Sequence, residues 1–175
     1  MKPKRRQLRK VIDMPKRPQL NEAHCLGVIS DTHGLVRPEA VKALEGVDMI
    51  IHAGDIGSPE VLAALHAIAP VVAVRGNNDT GDWARALPET EVVEVGDTAL
   101  YVLHDVNTLD LDPLAAGFAA VISGHSHRPA MAKRQGVLFL NPGSAGPRRF
   151  KLPVSVARLI IRGGAIDAQL VELAV

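Results

Sequence analysis

The stretch CLGVISDTHGLVRPEAVKALEGVDMIIHAGDIGSPEVLAALHAIAPVVAVRG, residues 25–76, decides the fold of this chain. Short apolar runs alternate there with segments whose apolar residues fall on one face at helical spacing. The order is strand 25–30, helix 37–45, strand 48–54, helix 59–69 and strand 71–76. Strands that alternate with helices predict parallel βαβ units. We therefore expect a parallel sheet in the first half of the chain.

Beyond residue 76 the pattern changes from alternation to paired strands. Residues 77–88 are polar and rich in turn formers, which predicts a loop. TEVVEVG and TALYVLH predict a β-hairpin about Gly96 and Asp97, and residues 109–117 are a candidate for a short helix. A buried strand is expected at 119–124.

The C-terminal third predicts four more strands with antiparallel pairing. They lie near 131–135, 137–140, 154–161 and 165–173, with turns at Gly136 and at Gly163-Gly164. Because parallel and antiparallel signals both occur, the expected fold class is α/β, with two packed mixed β-sheets flanked by helices.

The first 20 residues carry most of the positive charge. They contain eight Lys or Arg and one Asp, whereas the rest of the chain has twelve basic and eighteen acidic residues. This segment has little apolar content and no clear periodicity, so we predict a basic flexible extension at 1–23 and one domain at 24–175. Its charge leaves nucleic acid open as a partner, although a solvated tail or a misassigned start codon is the simpler explanation.

The composition also indicates in which cellular compartment the protein is expected. No apolar run approaches the roughly 20 residues of a membrane-spanning helix, which predicts no membrane association. The single cysteine, Cys25, allows neither a disulfide within one chain nor a zinc–thiolate cluster. A reducing cytoplasm is the expected location.

Metal-binding side chains follow five predicted strands at the point where each strand ends. They are Asp31 with His33, Asp55, Asn77, His104, and His125 with His127. Ligands gather beyond the carboxyl ends of parallel strands, so these groups are expected to converge. A set without thiolate suits divalent manganese, iron, nickel, cobalt or zinc. Seven ligands are too many for one tetrahedral ion but suit two ions about 3.5–4 Å apart that share a carboxylate and a hydroxide.

The motifs that contain these residues resemble those of a known family. They are SDTHG at 30–34, GD at 54–55, RGNND at 75–79, LH at 103–104 and GHSH at 124–127. In this order they resemble the calcineurin-like metallophosphoesterases. NPGS at 141–144 and PR at 147–148 are similar to the small branch of bacterial and archaeal phosphodiesterases.

The resemblance implies a four-layer sandwich with a dinuclear metal centre. The implied ligands are Asp31, His33 and His127 for one ion, Asn77, His104 and His125 for the other, and Asp55 as the bridge. Manganese is the first expectation for both ions, with nickel, iron, cobalt or zinc as alternatives. The resemblance further implies a bridging hydroxide that attacks the phosphorus of a small phosphate ester, most readily a phosphodiester.

The chain departs from the family pattern at two positions. Asn78 stands where the wider family commonly has a histidine that assists the departing oxygen, although the small branch often lacks it. Asp105 stands where a glycine commonly follows the ligand histidine. These departures bear on leaving-group chemistry and on the surroundings of His104.

Several other polar or aromatic residues allow two interpretations. His52 is expected to be buried or to support a ligand rather than to bind metal, because strand alternation points it elsewhere. Asp79 could orient a ligand or cap the loop. Arg75 could contact a phosphate or a structural carboxylate, and the carboxylate is slightly favoured. The pair 148–149 could contact substrate or be solvated, with solvation as the default. Trp83 could line the site or fill the core, and core filling is favoured.

Two functions from different classes follow. The first is hydrolysis of a phosphate ester, and relatives of this kind suggest a homo-oligomer. The second is a metal-binding protein-interaction scaffold with little catalysis, because the retromer subunit that resembles this family uses the same fold for protein binding. Retention of all seven ligand residues favours the enzyme.

Overall fold

The computed structural model describes residues 22–175 as two facing five-stranded sheets. Residues 1–21, which hold nearly all of the predicted basic extension, lie outside the described part. None of the helices formed by residues 22–175 is long and apolar enough to span a membrane. Two mixed sheets agree with the fold class expected from the sequence.

The first sheet contains the parallel strands expected from the opening stretch. They are β1 His24–Ile29, β2 Met49–His52 and β3 Val71–Ala73. On the other side of β1, the antiparallel strands β9 Ser155–Arg162 and β10 Ala165–Glu172 complete the sheet in the order β10-β9-β1-β2-β3. Every residue of β2 is buried, as its unbroken apolar run predicts for a strand covered on both faces.

The connections between β1, β2 and β3 are short helices. Helix α1 Pro38–Ala43 and helix α2 Pro59–His66 both begin with proline, whose fixed φ suits the first helical position and whose missing N–H is not needed there. Both end earlier than predicted, and α1 gives way to a turn at Gly46, which adopts a φ of +75°. The loop predicted for 77–88 is interrupted by a single helical turn, α3 Asp82–Arg85.

The second sheet combines two hairpins around a parallel strand. Its strands are β4 Thr90–Val95, β5 Thr98–Leu103, β6 Ala120–Ile122, β7 Ala130–Arg134 and β8 Val137–Asn141, in the order β4-β5-β6-β8-β7. The hairpin turns at 96–97, at Gly136 and at 163–164 lie where the sequence predicted them. Strand β6 pairs in parallel with both β5 and β8, so the carboxyl ends of these three strands lie at one edge.

The short helix predicted at 109–117 is wrong. A 3₁₀ helix, Val106–Thr108, comes before it, and 109–117 forms turns instead. The Asp112 side chain accepts hydrogen bonds from the backbone N–H of Leu114 and of Ala115, and Gly117 has a φ of +81°. The helical turn that Asp112 caps therefore ends after one turn, because Gly117 follows it in the left-handed conformation.

The main core lies between the two sheets. Leu26 and Ile51 from the first sheet pack with Leu100 and Ile122 from the second, all fully buried. Burial of such a side chain contributes about 1.5–3 kcal/mol. A second core joins the first sheet to α1 and α2, and a third packs the 106–118 segment on the second sheet. The result is a layered domain whose open edge carries the strand ends.

Candidate metal centre

All seven predicted site residues lie beyond the carboxyl ends of parallel strands. The first sheet contributes four and the second three: Asp31 and His33 after β1, Asp55 after β2, Asn77 after β3, His104 after β5, and His125 and His127 after β6. The facing sheets place these strand ends together, so residues nearly one hundred positions apart in sequence meet at one edge.

A first group joins both sheets through Asp31, His33 and His127. One ligand atom of each lies within 4.8 Å of the others. Nε2 of His127 is 3.3 Å from Oδ1 of Asp31 and 3.4 Å from Nε2 of His33. The two imidazole rings stack with their centroids 5.3 Å apart. Three donor atoms therefore face a common point.

A second group gathers around Asn77 and His104. Oδ1 of Asn77 is 3.0 Å from Nε2 of His104 and 3.0 Å from Nδ1 of His125. Asp31, Asp55 and His104 also offer ligand atoms within 4.8 Å of one another. Nδ1 of His104 donates to the Ala53 carbonyl at 2.7 Å, so Nε2 is the nitrogen that faces the group.

Asp55 lies between the two groups. Its Oδ2 is 3.8 Å from Nε2 of His33, and its Oδ1 is 3.4 Å from Nε2 of His104. One carboxylate oxygen is thus directed toward each group. A carboxylate in such a position has the geometry that two neighbouring cations could share.

The chemistry of the buried atoms fits a bound cation. Among the buried side-chain nitrogen and oxygen atoms of residues 22–175, Oδ1 of Asp31 and Nδ1 of His127 have no hydrogen-bond partner. A carboxylate oxygen buried without a donor is costly, and a divalent ion would offset that cost. The set of carboxylate, imidazole and amide groups contains no thiolate and suits the metals expected from the sequence.

Left-handed backbone is concentrated in the site. Within the described chain, seven residues other than glycine have φ between +46° and +68°, and five of them are predicted ligands: Asp31, His33, Asp55, His125 and His127. The other two are Gln135, in a hairpin turn, and Phe150. Such conformations are uncommon outside glycine and cluster at functional sites. The tight turns after β1, β2 and β6 direct the side chains toward each other.

Two glycines allow the strand-end loops to approach closely. A Cβ on Gly76 would collide with the backbone N and Oδ1 of Asp55, and a Cβ on Gly124 would collide with Oγ of Ser30. The glycine of RGNND therefore lets the β3 loop reach Asp55. The glycine of GHSH lets the β6 loop reach Asp31 across the two sheets.

Hydrogen bonds hold both carboxylates in fixed orientations. Oδ2 of Asp31 accepts from Oγ of Ser30 at 2.7 Å and from the backbone N–H of His125 at 3.1 Å. Oδ1 of Asp55 accepts the backbone N–H of Asn78 at 2.9 Å, and Oδ2 accepts its side-chain amide at 2.7 Å. These contacts keep the carboxylates preorganised.

The electrostatic surroundings set the protonation states that a cation would meet. Burial alone would raise the pKa of Asp55, but the adjacent His104 and the hydrogen bonds from Asn78 outweigh it and hold the pKa well below its usual value. Burial, followed by the positive charges of Arg149 and His33, lowers the pKa of His127 to about 4. At neutral pH Asp55 is therefore ionised, and His127 keeps a free lone pair.

His52 and Asp79, for which the sequence allowed two interpretations, both have structural roles. His52 is completely buried and contacts Oγ1 of Thr32 through Nε2 at 2.9 Å, as expected for a residue that does not bind metal. Asp79 caps the loops, because its two carboxylate oxygens accept from the backbone N–H groups of Gly57 and Gly76 at 2.9 and 2.8 Å.

The other side chains considered in the sequence also make definite contacts. Arg75 pairs with Glu89 at 2.6 Å, as expected. Trp83 packs, partly buried, against the core that includes α2. Arg148 donates to the carbonyl of Val175 at 3.0 Å, whereas Arg149 is close enough to His127 to affect its pKa. Arg148 is therefore held by a backbone contact, and the charge of Arg149 acts on a candidate ligand.

The sequence did not reveal every residue that supports the site. The contact of Asn78 with Asp55 was not expected, because the sequence distinguishes position 78 only by the missing histidine. Oγ of Ser144 donates to the Asp31 carbonyl at 2.9 Å. Ser144 belongs to the NPGS motif, which is the sequence signal that could have indicated this contact. Asp105, the second departure, places Oδ2 3.8 Å from Nε2 of His125.

Two facing mixed sheets with Asp, His and Asn side chains at their shared edge define a metallophosphoesterase class of protein. A family model described as the calcineurin-like phosphoesterase superfamily domain matches residues 25–164. The chain belongs to the calcineurin-like phosphoesterase superfamily, as its motifs predicted. This family binds divalent metals.

Individual relatives agree with that membership. A probable metallophosphoesterase of Methanothermobacter thermautotrophicus is 36% identical over 159 residues, which cover 84% of this chain and 91% of the relative. An archaeal phosphodiesterase of known structure is 23% identical with a TM-score of 0.70, over 84% of this chain and 99% of its own. Vps29 from Entamoeba histolytica, complexed with Zn²⁺, is 23% identical with a TM-score of 0.66, over 85% of this chain and 98% of its own.

Proposed function

We propose that this protein hydrolyses phosphodiesters with two divalent metal ions. The observation that carries the proposal is the position of Asp55, with one carboxylate oxygen toward His33 at 3.8 Å and the other toward His104 at 3.4 Å. Family membership supports phosphate-ester hydrolysis in general. The archaeal phosphodiesterase with the same fold, and the motifs of the small branch, support the choice of a diester.

The seven predicted residues would hold the ions as two sets that share Asp55. Asp31, His33 and His127 form one set, and Asn77, His104 and His125 form the other. Manganese is the first choice, with nickel, iron, cobalt and zinc as alternatives. When bound, such ions supply Lewis acidity toward the phosphate and the hydroxide nucleophile of the hydrolysis.

The protein's own residues would fix the ligands before any substrate arrives. Asn78 holds both oxygens of Asp55, and Ser30 holds one oxygen of Asp31 while the other remains free toward His127. The Ala53 carbonyl fixes the proton of His104 on Nδ1. Ligands held in this way need little reorganisation when charge develops on the phosphate.

Replacement of Asp55 by asparagine tests the shared position. A neutral amide is a poor bridge between two cations, so Asp55→Asn should lose at least one metal equivalent and about 100-fold or more in turnover of bis(p-nitrophenyl) phosphate. Metal content by elemental analysis and initial rates measure both effects. Asp97→Asn, in the exposed β4–β5 turn, is the matched control and should behave like the wild type. A variant with two ions and near-normal turnover would remove Asp55 from the bridging role.

The same measurements separate catalysis from a scaffold role. The alternative is a metal-binding protein-interaction scaffold, and Vps29 shares the fold. A wild-type protein that binds two ions but hydrolyses no phosphate ester would support the scaffold. A panel of divalent metals identifies the preferred ion, and light scattering tests the proposed homo-oligomer. We also propose that the protein is located in the cytoplasm.

A further inference from the structure

Phe150 is the most exposed large apolar side chain among residues 22–175. It is 94% exposed, whereas the next, Leu114, is 54% exposed. Its φ of +53° is in the left-handed region, which strains a bulky aromatic residue. An aromatic side chain that is both strained and solvated makes little contribution to the fold, so a functional role is the better explanation.

A tight turn presents Phe150 to solvent. The backbone N–H of Leu152 donates to the Arg149 carbonyl at 3.1 Å, which closes a four-residue turn with Phe150 at its second position. Glycine and asparagine normally occupy such a position when φ is positive. Arg148, Arg149 and Lys151 surround Phe150 in sequence and are exposed. We call residues 148–151 the basic aromatic turn.

The chain just before this turn rests on the candidate metal centre. The backbone N–H of Ala145 donates to the Ser30 carbonyl at 3.0 Å, and Gly146 packs against the carbonyls of Asp31 and Thr32. Arg37 also donates to the Gly146 carbonyl at 3.1 Å. Only Pro147 separates Gly146 from the basic aromatic turn, so the turn begins beside the loop that carries Asp31.

We propose that the basic aromatic turn recognises a nucleotide-type phosphodiester, with the Phe150 ring stacked on a nucleobase and Arg149 near the phosphate. The inference rests on the proposed phosphodiesterase function and names its substrate class. A nucleotide carries a flat aromatic base beside a phosphate. The exposed Phe150 ring could stack on the base, and the neighbouring cationic side chains could attract the phosphate. Stacking of this kind accepts any base, because every base has a π face.

Calorimetry tests the stacking without any turnover. Thymidine 5′-monophosphate and inorganic phosphate are titrated into the metal-loaded protein, and the ratio of their dissociation constants is measured. Phe150→Ala should reduce the preference for the nucleotide about 5- to 150-fold, the range expected for one base stacked on an aromatic side chain. Phe150→Trp should retain the preference. Ile160→Ala, which removes a 42% exposed apolar side chain paired with Cys25 at the opposite end of β1, should leave it unchanged.

Kinetics distinguish a failure of this inference from a failure of the proposed function. Thymidine 5′-(p-nitrophenyl phosphate) and methyl p-nitrophenyl phosphate share a leaving group and differ in the other ester arm. Phe150→Ala should lower the kcat/KM ratio of the thymidine ester to the methyl ester by the same factor. An unchanged ratio in both experiments overturns the stacking role and would point to a protein contact instead. A wild-type enzyme inactive on both esters overturns the proposed function, while calorimetry still decides the role of Phe150.

Discussion

At the scale of single residues, Asn78 bears on how the leaving group would depart in the proposed hydrolysis. Its side-chain amide donates to Oδ2 of Asp55 at 2.7 Å and is therefore committed to holding a carboxylate. An amide also has no proton to give in the working pH range, so an alkoxide would leave without general-acid help worth about 10²–10⁴-fold. We expect aryl esters, which leave as stabilised phenolates, to react far faster than alkyl esters.

A series of methyl phosphodiesters with graded leaving groups measures this dependence. The logarithm of kcat/KM should fall steeply as the pKa of the leaving group rises. The Gln169→Ala variant, which removes an exposed amide on β10, serves as the control and should give the same slope. A shallow slope in the wild type would mean that another group near the site already supplies the proton.

The convergence of the seven residues could be predicted because each belongs to a short motif at a strand end. All seven meet at one edge in the structure, although their role as ligands remains a prediction. The contact between Asn78 and Asp55 could not be predicted. It depends on a left-handed turn at Asp55 and on the close approach of Gly76, and both are properties of the folded backbone rather than of residue type.

At the scale of elements, His52 connects the end of β2 to the loop after β1. Its Nδ1 accepts the backbone N–H of Gly54, so Nε2 donates to Oγ1 of Thr32, which donates to the Ile56 carbonyl at 2.8 Å. Burial, followed by the positive charge of His104, lowers the pKa of His52 from 6.5 to about 3. Between those values the unfolded chain binds a proton that the folded chain does not. The contribution of neutral His52 to stability is therefore fully present above about pH 6.5 and is lost as the pH falls toward 3.

His52→Gln should remove this contribution to the pH dependence. A single group contributes a slope of up to about 1.4 kcal/mol per pH unit. Urea unfolding of the chelator-treated protein between pH 7 and 4.5 should give a shallower slope for the variant, even if its overall stability is lower. His66→Gln, an exposed histidine at the end of α2, should match the wild type. Equal slopes for all three proteins would show that His52 gains a proton in the folded state.

Element types were easier to predict than their ends. The ten strands of the structure all lie within or beside predicted strands, because apolar runs and turn residues are local signals. The segment 109–117 failed because its helical spacing does not reveal that Asp112 caps a single turn ended by Gly117. Helix α3 was missed because four residues are too few to show periodicity.

At the scale of the whole molecule, the candidate ligands connect the two sheets. Asp31 and Asp55 belong to the first sheet, and His104 and His127 belong to the second. A cation bound across them favours only the state in which the sheets face each other. At 100 times its dissociation constant, one such ion stabilises the folded state by about 2.7 kcal/mol, which is roughly 5–10 °C in Tm for a chain of this size.

Thermal melting with and without manganese measures that linkage. Addition of the metal to chelator-treated protein should raise Tm, and further increases in metal concentration should continue to raise it. Asp97→Asn should show the full rise, whereas Asp55→Asn should show a smaller one. If the Tm of the wild type did not change with metal, no cation would bridge the two sheets.

Strand order is the part of the architecture that the sequence left open. Strands β9 and β10 return to the first sheet beside β1, and β8 lies next to β6 in the second. The first placement pairs strands distant along the chain, and the second passes over β7, so packing rather than local pattern selects both. The prediction of two mixed sheets was correct, but the assignment of each C-terminal strand to a sheet required the structure.

The left-handed turns in the site also restrict how its metal preference could evolve. Asp, Asn and His are the metal-binding residue types that tolerate such a backbone most readily, whereas longer ligands such as Glu do not share this tolerance. Exchanges among these three types keep the turns at Asp31, Asp55 and His127 intact and change only the charge and softness of the donors. Substitutions among these three types would therefore change the donors of the proposed metal centre without rebuilding the loops.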